Sequence, residues 1–79
     1  MINVEPGQYY IILAEVNTGI VLASDGKRNI TGITPYIVFD SVEEAERYSY
    51  QKVSESPEIE CNIYNDKSEF VKVITKQKL

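Results

Sequence analysis

The sequence contains no histidine and no tryptophan, and it has a single cysteine, Cys61, among its 79 residues. Lack of histidine removes the commonest general base and the commonest metal ligand of proteins. One cysteine cannot form a disulfide within the chain. Because small secreted domains often depend on several disulfides, we expect this protein to work in the reducing environment of the cytoplasm.

Long apolar stretches are also lacking. The apolar run at residues 9–14 ends at Glu15, whereas a membrane-spanning helix needs about 20 apolar residues. The first six residues carry Glu5 and no basic residue, unlike the basic start of a secretory signal peptide. We therefore expect neither a membrane span nor a secretory leader.

Positive charge is in short supply as well. Twelve acidic residues against eight basic ones give a net charge of −4 and a pI of about 4.7. This balance argues against nucleic-acid binding, which depends on lysine and arginine to neutralise phosphates. A content of 43% hydrophobic and 25% charged residues is ordinary for a globular protein, and the length allows one small domain, residues 1–79.

Five segments have the composition or the alternation of β-strands. They are residues 8–16, 20–24, 36–39, 58–64 and 69–75. Both alternating sets of residues 8–16 are mostly apolar, which is typical of a strand covered on both faces. Turn residues at 17–19 predict a hairpin between the first two strands. Residues 30–34 fit either a bulged strand start or a loop.

The helix prediction starts at Ser41, where Ser41 and Glu44 have the spacing of a capping box. It ends before Pro57, since the residue that precedes a proline is pushed out of the helical region. A narrow stripe of mostly small residues would let this helix lie close on a sheet; it consists of Val42, Ala45, Ser49 and Val53. The predicted fold class is α+β, in the order β-β-β-α-β-β, with one helix packed on one face of an antiparallel sheet.

One helix covers one face of such a sheet, so the other face needs an explanation. Polar residues on the strands (Glu15, Glu60, Asn62 and Lys72) suggest which side faces away from the helix. The same alternation then turns a set of apolar residues outward, namely Tyr9, Ile11, Leu13, Tyr64, Phe70 and Ile74. We expect them to form the interface of a homodimer or with another protein. The alternative is that the N-terminal tail or the loop at residues 25–34 covers them.

Residues with reactive or charged side chains give little sign of chemistry. Cys61 lies between Ile59 and Ile63, so we expect a buried thiol that behaves as a small hydrophobic residue. Residues 40–60 carry a net charge of −5, which suits either a capped, solvated helix or a face that docks on a basic partner. No segment has the spacing of a calcium loop or a phosphate loop. We predict no catalytic residue, no metal site and no cofactor.

The function expected from these features is that of a small acidic, non-catalytic protein-interaction module. It would form homodimers or bind another protein, as an inhibitor, immunity protein or adaptor. The alternative is a small-ligand-binding sensory or carrier domain. In that case the tyrosines and the Lys27–Arg28 pair would form a pocket at one end of the sheet.

Overall fold

A computed structural model describes residues 2–23, 26–28 and 35–76 of the chain. Its elements are β1 (Tyr9–Glu15), β2 (Val21–Leu22), β3 (Ile37–Phe39), α1 (Val42–Glu55), β4 (Ile59–Tyr64) and β5 (Phe70–Ile74). The predicted α+β fold and the predicted order of elements are confirmed, with each strand shorter than expected. The uncertain stretch at residues 30–34 lies outside the described residues.

The sheet is antiparallel and is organised around β1. Its order is β2-β1-β4-β5, and β3 also pairs with β1. One side of β1 pairs with β4 along residues 10–15, while β3 and β2 share the other side, beside residues 9–11 and 13–14 respectively. Among the described residues, β5 is therefore the last strand on its side of the sheet.

Local capping groups fix both ends of α1. The hydroxyl oxygen of Ser41 accepts a hydrogen bond from the backbone N–H of Glu44 at 3.2 Å, as the capping box predicts. The Glu44 carboxylate accepts from the backbone N–H of Asp40 rather than from that of Ser41. At the other end, Ser56 caps the helix just before Pro57, and its N–H donates to the carbonyl of Lys52.

The core lies between α1 and one face of the sheet. The helix contributes Ala45, Ser49 and Val53, all buried, and the Ser49 hydroxyl donates to the Ala45 carbonyl at 2.7 Å. This local bond satisfies a polar group that is fully buried under the helix. The sheet contributes Ile11, Leu13, Leu22, Ile59, Cys61, Ile63 and Ile74. Because the helix stripe consists of small residues, these side chains, which are mostly branched, fill the space beneath it.

The direction predicted for several apolar residues of the strands is wrong. Ile11, Leu13 and Ile74 were expected to face away from the helix, yet they are 0%, 2% and 5% exposed and belong to the core beneath it. Ile11 lies opposite Ile63, and Leu13 lies opposite Cys61. Directly paired residues share a face of the sheet, so all four lie on the helix side. Tyr9 also packs against the core.

Two of the polar residues used to assign the faces have partners that keep them on the helix side. Lys72 of β5 pairs with the carboxylate of Glu46 on α1. Glu15 shares the alternation of Leu13 and binds Arg28, with 2.9 Å between the Arg28 Nε and a Glu15 carboxylate oxygen. The charges of Glu15 and Lys72 therefore do not mark the side that faces away from the helix, because each is paired with an opposite charge at the margin of the core.

We expect Ser41→Ala to destabilise the fold by about 1 kcal/mol, because the N–H of Glu44 loses its acceptor. Urea unfolding followed by far-ultraviolet circular dichroism measures the change. Ser41→Asp is the matched control, since aspartate also caps helices, and its unfolding midpoint should stay close to that of the parent chain. Equal stability of the Ser41→Ala and parent proteins would contradict the assigned role of the cap.

Candidate interaction surface

The centre of the sheet face that lies away from α1, here called the outer face, is covered by tyrosines. Tyr10 alternates with Ile11 and so lies on this face, yet it is only 2% exposed. Its ring stacks on Tyr64 with a centroid distance of 5.1 Å, and Tyr36 meets it edge-on at 5.8 Å. Aromatic pairs favour both arrangements. These three tyrosines therefore pack against one another at the centre of the outer face.

The segment that precedes β1 borders one end of the outer face. The backbone N–H of Asn3 donates to the Tyr36 hydroxyl at 3.1 Å. The backbone N–H of Gly7 donates to an Asp66 carboxylate oxygen, in the turn between β4 and β5, at 2.8 Å. Gly7 has a φ of +87°, a conformation that favours glycine. The chain's own tail thus lies next to the tyrosines at this end.

The β5 margin of the sheet carries a group of exposed apolar side chains. Six large hydrophobic residues are exposed in the described part of the chain, and four of them lie on β5 or beside it. Tyr50 is 61% exposed, Phe70 57%, Val73 44% and Val71 38%. We call these four residues the β5 surface. The other two, Ile20 and Val38, lie on the far side of β1.

The β5 surface has two sides. Val73 pairs with Asn62 and Phe70 pairs with Tyr64, so both lie on the outer face, and the Phe70 ring meets Tyr64 edge-on at 5.9 Å. A β-bulge leaves Val71 without a directly paired residue. Tyr50 lies on α1, one turn after the Glu46 that binds Lys72, and so belongs to the helix side. Apolar groups therefore flank β5 on both faces of the sheet.

The one charged residue within β5 is already neutralised. The ammonium group of Lys72 donates to the Glu46 carboxylate, and this hydrogen bond raises the pKa of Lys72. Both side chains remain partly exposed, so the pair adds little to stability. Its consequence is positional: the lysine is directed toward the helix and not beyond the margin of the sheet.

The sequence-predicted interface is only partly brought together by the fold. Phe70 is exposed. Tyr64, which stacks on Tyr10, is half-buried and contacts the Phe70 ring. The remaining four predicted residues contribute to the core or pack against it; they are Tyr9, Ile11, Leu13 and Ile74. Val71 and Val73 are not among the residues predicted from the sequence, because the charge of Lys72, which lies between them, points to the opposite facing of the strand. The alternation of β5 is visible in the sequence, but Lys72 lies on the helix side and Val73 on the outer face, the reverse of what its charge suggests.

Cys61 is fully buried, as predicted. Burial raises the pKa of its thiol, and Glu60 raises it further, against the opposing effects of the Ser49 hydroxyl and of Lys52. A thiol that is both inaccessible and protonated is a poor nucleophile. Within the described ranges, no three histidine, cysteine, aspartate or glutamate side chains lie together as a set of metal ligands.

The contacts of the described residues place Arg28 and three of the tyrosines in separate groups. Arg28 is bound to Glu15, beside the β1–β2 hairpin. An open groove of about 600 Å³ runs between β3 and α1, and neither Lys27 nor Arg28 lines it. Its walls include Phe39 and Tyr48, whose rings contact each other at 5.3 Å. This groove is shallow and mixes apolar with charged side chains.

Comparison with known proteins gives no assignment: no protein-family model matches the chain, and no curated protein or solved structure matches it either. In residues 2–23, 26–28 and 35–76, no helix has the length and apolar character needed to cross a bilayer. The interpretation therefore rests on the chemistry of the β5 surface itself.

We expect Cys61 in the native protein to react with a thiol reagent at least about 100-fold more slowly than in urea, because it reacts only after local opening. Colorimetric thiol titration measures both rates. The matched control is Ser54→Cys in a Cys61→Ala background, which places the thiol on the exposed side of α1 and should react rapidly in both solvents. Equal native rates for the two proteins would contradict the burial of Cys61.

The raised pKa of Cys61 also predicts alkaline destabilisation. The unfolded chain loses this proton near pH 8.5, while the folded chain retains it to higher pH. The stabilising effect is therefore complete below about pH 8.5 and is lost as the pH rises toward the folded-state value, by at most about 1.4 kcal/mol per pH unit. Urea unfolding at pH 8 to 10 measures the slope.

In Cys61→Ala this slope should become shallower over the same pH range. Tyr48, whose pKa is also raised by burial, remains in both proteins and accounts for a further loss at higher pH. An unchanged slope in Cys61→Ala would show that Cys61 does not contribute to the alkaline limb.

Proposed function

We propose that the protein is a small, non-catalytic protein-interaction module that works as a homo-oligomer, and that the β5 surface is its binding site. The observation that carries this proposal is the concentration of Tyr50, Phe70, Val71 and Val73 at one margin of the molecule. Soluble monomers rarely expose large contiguous apolar patches. Aromatic residues are enriched at interfaces between proteins, and two of these four residues are aromatic.

The non-catalytic part of the proposal draws on what the chain offers for chemistry. Histidine is absent from the sequence, and Cys61, the strongest nucleophile that it contains, is buried with a raised pKa. A buried free thiol also suits the reducing cytoplasm, where we place the protein. In this context, an inhibitor, an immunity protein or an adaptor would act through surface recognition alone.

A ligand-binding sensory or carrier role has less support. Tyr10, Tyr36 and Tyr64 pack on one another, and Arg28 is bound to Glu15. Ligand pockets are usually enclosed cavities with a few convergent polar groups. The groove between β3 and α1 is open, so it offers a ligand little burial.

Molar mass in solution tests the proposal. Light scattering over a concentration series should show the parent chain approaching twice the 9.0 kDa of one chain. The dimer should persist at high salt, because apolar contacts are not screened by ions. Val73→Glu should shift it to monomer while its circular dichroism spectrum stays unchanged, since Val73 is already substantially exposed in the fold.

Ile20→Glu is the matched control, because it introduces the same charge at an exposed apolar residue on the far side of β1. It should leave the dimer intact. A parent chain that stays monomeric at every concentration would overturn the proposed function. Equal effects of the two substitutions would remove the β5 surface from it.

A further inference from the structure

We propose that the partner at the β5 surface is a second copy of this chain, joined edge to edge: the two β5 strands pair antiparallel and the two sheets continue as one. This inference rests on the proposed function and specifies its geometry. A two-fold axis perpendicular to the sheet produces this pairing and places both α1 helices on the same face of the combined sheet. Two-fold dimers are by far the commonest symmetric assemblies.

The backbone of β5 supplies the first argument. Within the described residues this strand pairs only with β4, so its outer edge presents N–H and C=O groups that a further strand can bind. Natural proteins protect such edges with charged side chains, proline or bulges. Here the strand contains no proline, and its single charge, Lys72, is held by Glu46 on the helix side. The bulge lies near the start of β5 and leaves residues 72–74 in regular register.

The exposed side chains supply the second argument, because they flank this edge on both faces of the sheet. Phe70 and Val73 lie on the outer face, while Tyr50 lies on the helix side and is the most exposed of the large hydrophobic residues. Edge pairing covers both sides in a single contact. Packing of two outer faces against each other would cover Phe70 and Val73 but would leave Tyr50 in water.

Charge supplies the third argument. Antiparallel pairing brings the beginning of one β5 strand beside the end of the other. Glu69 immediately precedes the strand, and Lys76 follows it shortly after its end. Each end of the paired strands therefore combines an acidic residue of one copy with a basic residue of the other, and opposite charges across strands are favourable. The neutralised Lys72 adds little repulsion at the centre.

Distance measurement between spin labels tests the arrangement. The label is attached to Ser54→Cys on the exposed side of α1, under native conditions in which buried Cys61 does not react. Because α1 packs mainly over β4 and also over β1, a strand spacing of about 4.8 Å places the two helix axes of an edge-to-edge dimer roughly 15–20 Å apart and the two labels roughly 15–30 Å apart. In a face-to-face dimer, two sheets about 10 Å apart separate the helices, so the labels lie more than about 35 Å apart. The parent chain, carried through the same labelling, reports any signal from Cys61.

Two glutamate substitutions provide an independent readout that needs no label. Val73→Glu should abolish the dimer in either arrangement, whereas Val38→Glu changes an outer-face residue on β3, far from β5, and should leave an edge-to-edge dimer intact. A short label distance together with a dimeric Val38→Glu protein supports the proposal. A long distance, or loss of the dimer in Val38→Glu, overturns edge pairing but leaves the proposed function standing. A parent chain that light scattering finds monomeric overturns both.

Discussion

The contact between the small-residue stripe of α1 and one face of the sheet determines the rest of this structure. Ala45, Ser49 and Val53 allow the helix to lie close over Ile11 and Ile63. Because the chain is short, this single seam contains most of its core. A helix of 14 residues covers one face only, so the opposite face must be covered by other means or remain exposed.

In the part of the chain that the structure describes, the outer face is covered at its centre but not at its β5 margin. At its centre, Tyr10 is covered by Tyr36 and Tyr64, while the segment before β1 binds Tyr36 through Asn3. At the β5 margin no comparable cover exists among the described residues, and Phe70 and its neighbours stay in water. Apolar groups are therefore buried where tyrosines cover the outer face, and they are exposed beside the edge of β5 that pairs with no described strand.

Local signals in the sequence were sufficient to predict the helix. Ser41 caps its start and Pro57 follows its end, and both act within a few residues of the chain. Strand positions followed from alternation and turn residues for the same reason. Strand order was not predictable, because pairing between β1 and β4 joins residues about fifty positions apart and leaves no mark on the local pattern.

The prediction of which strand residues face the helix was wrong for a related reason. Both faces of β1 are apolar, so only polar residues were left to orient it, and Glu15 and Lys72 are bound to Arg28 and Glu46 from other parts of the chain. A salt bridge to a distant segment cannot be read from strand alternation. The β5 surface depends on both the strand order and the direction of Lys72, which the sequence does not show. Of the six apolar residues expected to face outward, only Phe70 is exposed, and Tyr64 lies half-buried beside it.

Hydrogen exchange of individual backbone amides, followed by NMR at low and at high protein concentration, tests self-association through β5 most directly. The account predicts that amides of residues 70–74 that point away from β4 exchange rapidly in dilute protein and become protected as concentration rises. Amides of β2, which lies at the opposite end of the sheet order, should show no such change. Exchange rates in β5 that stay the same at every concentration, or protection that rises at β2 instead, would contradict it.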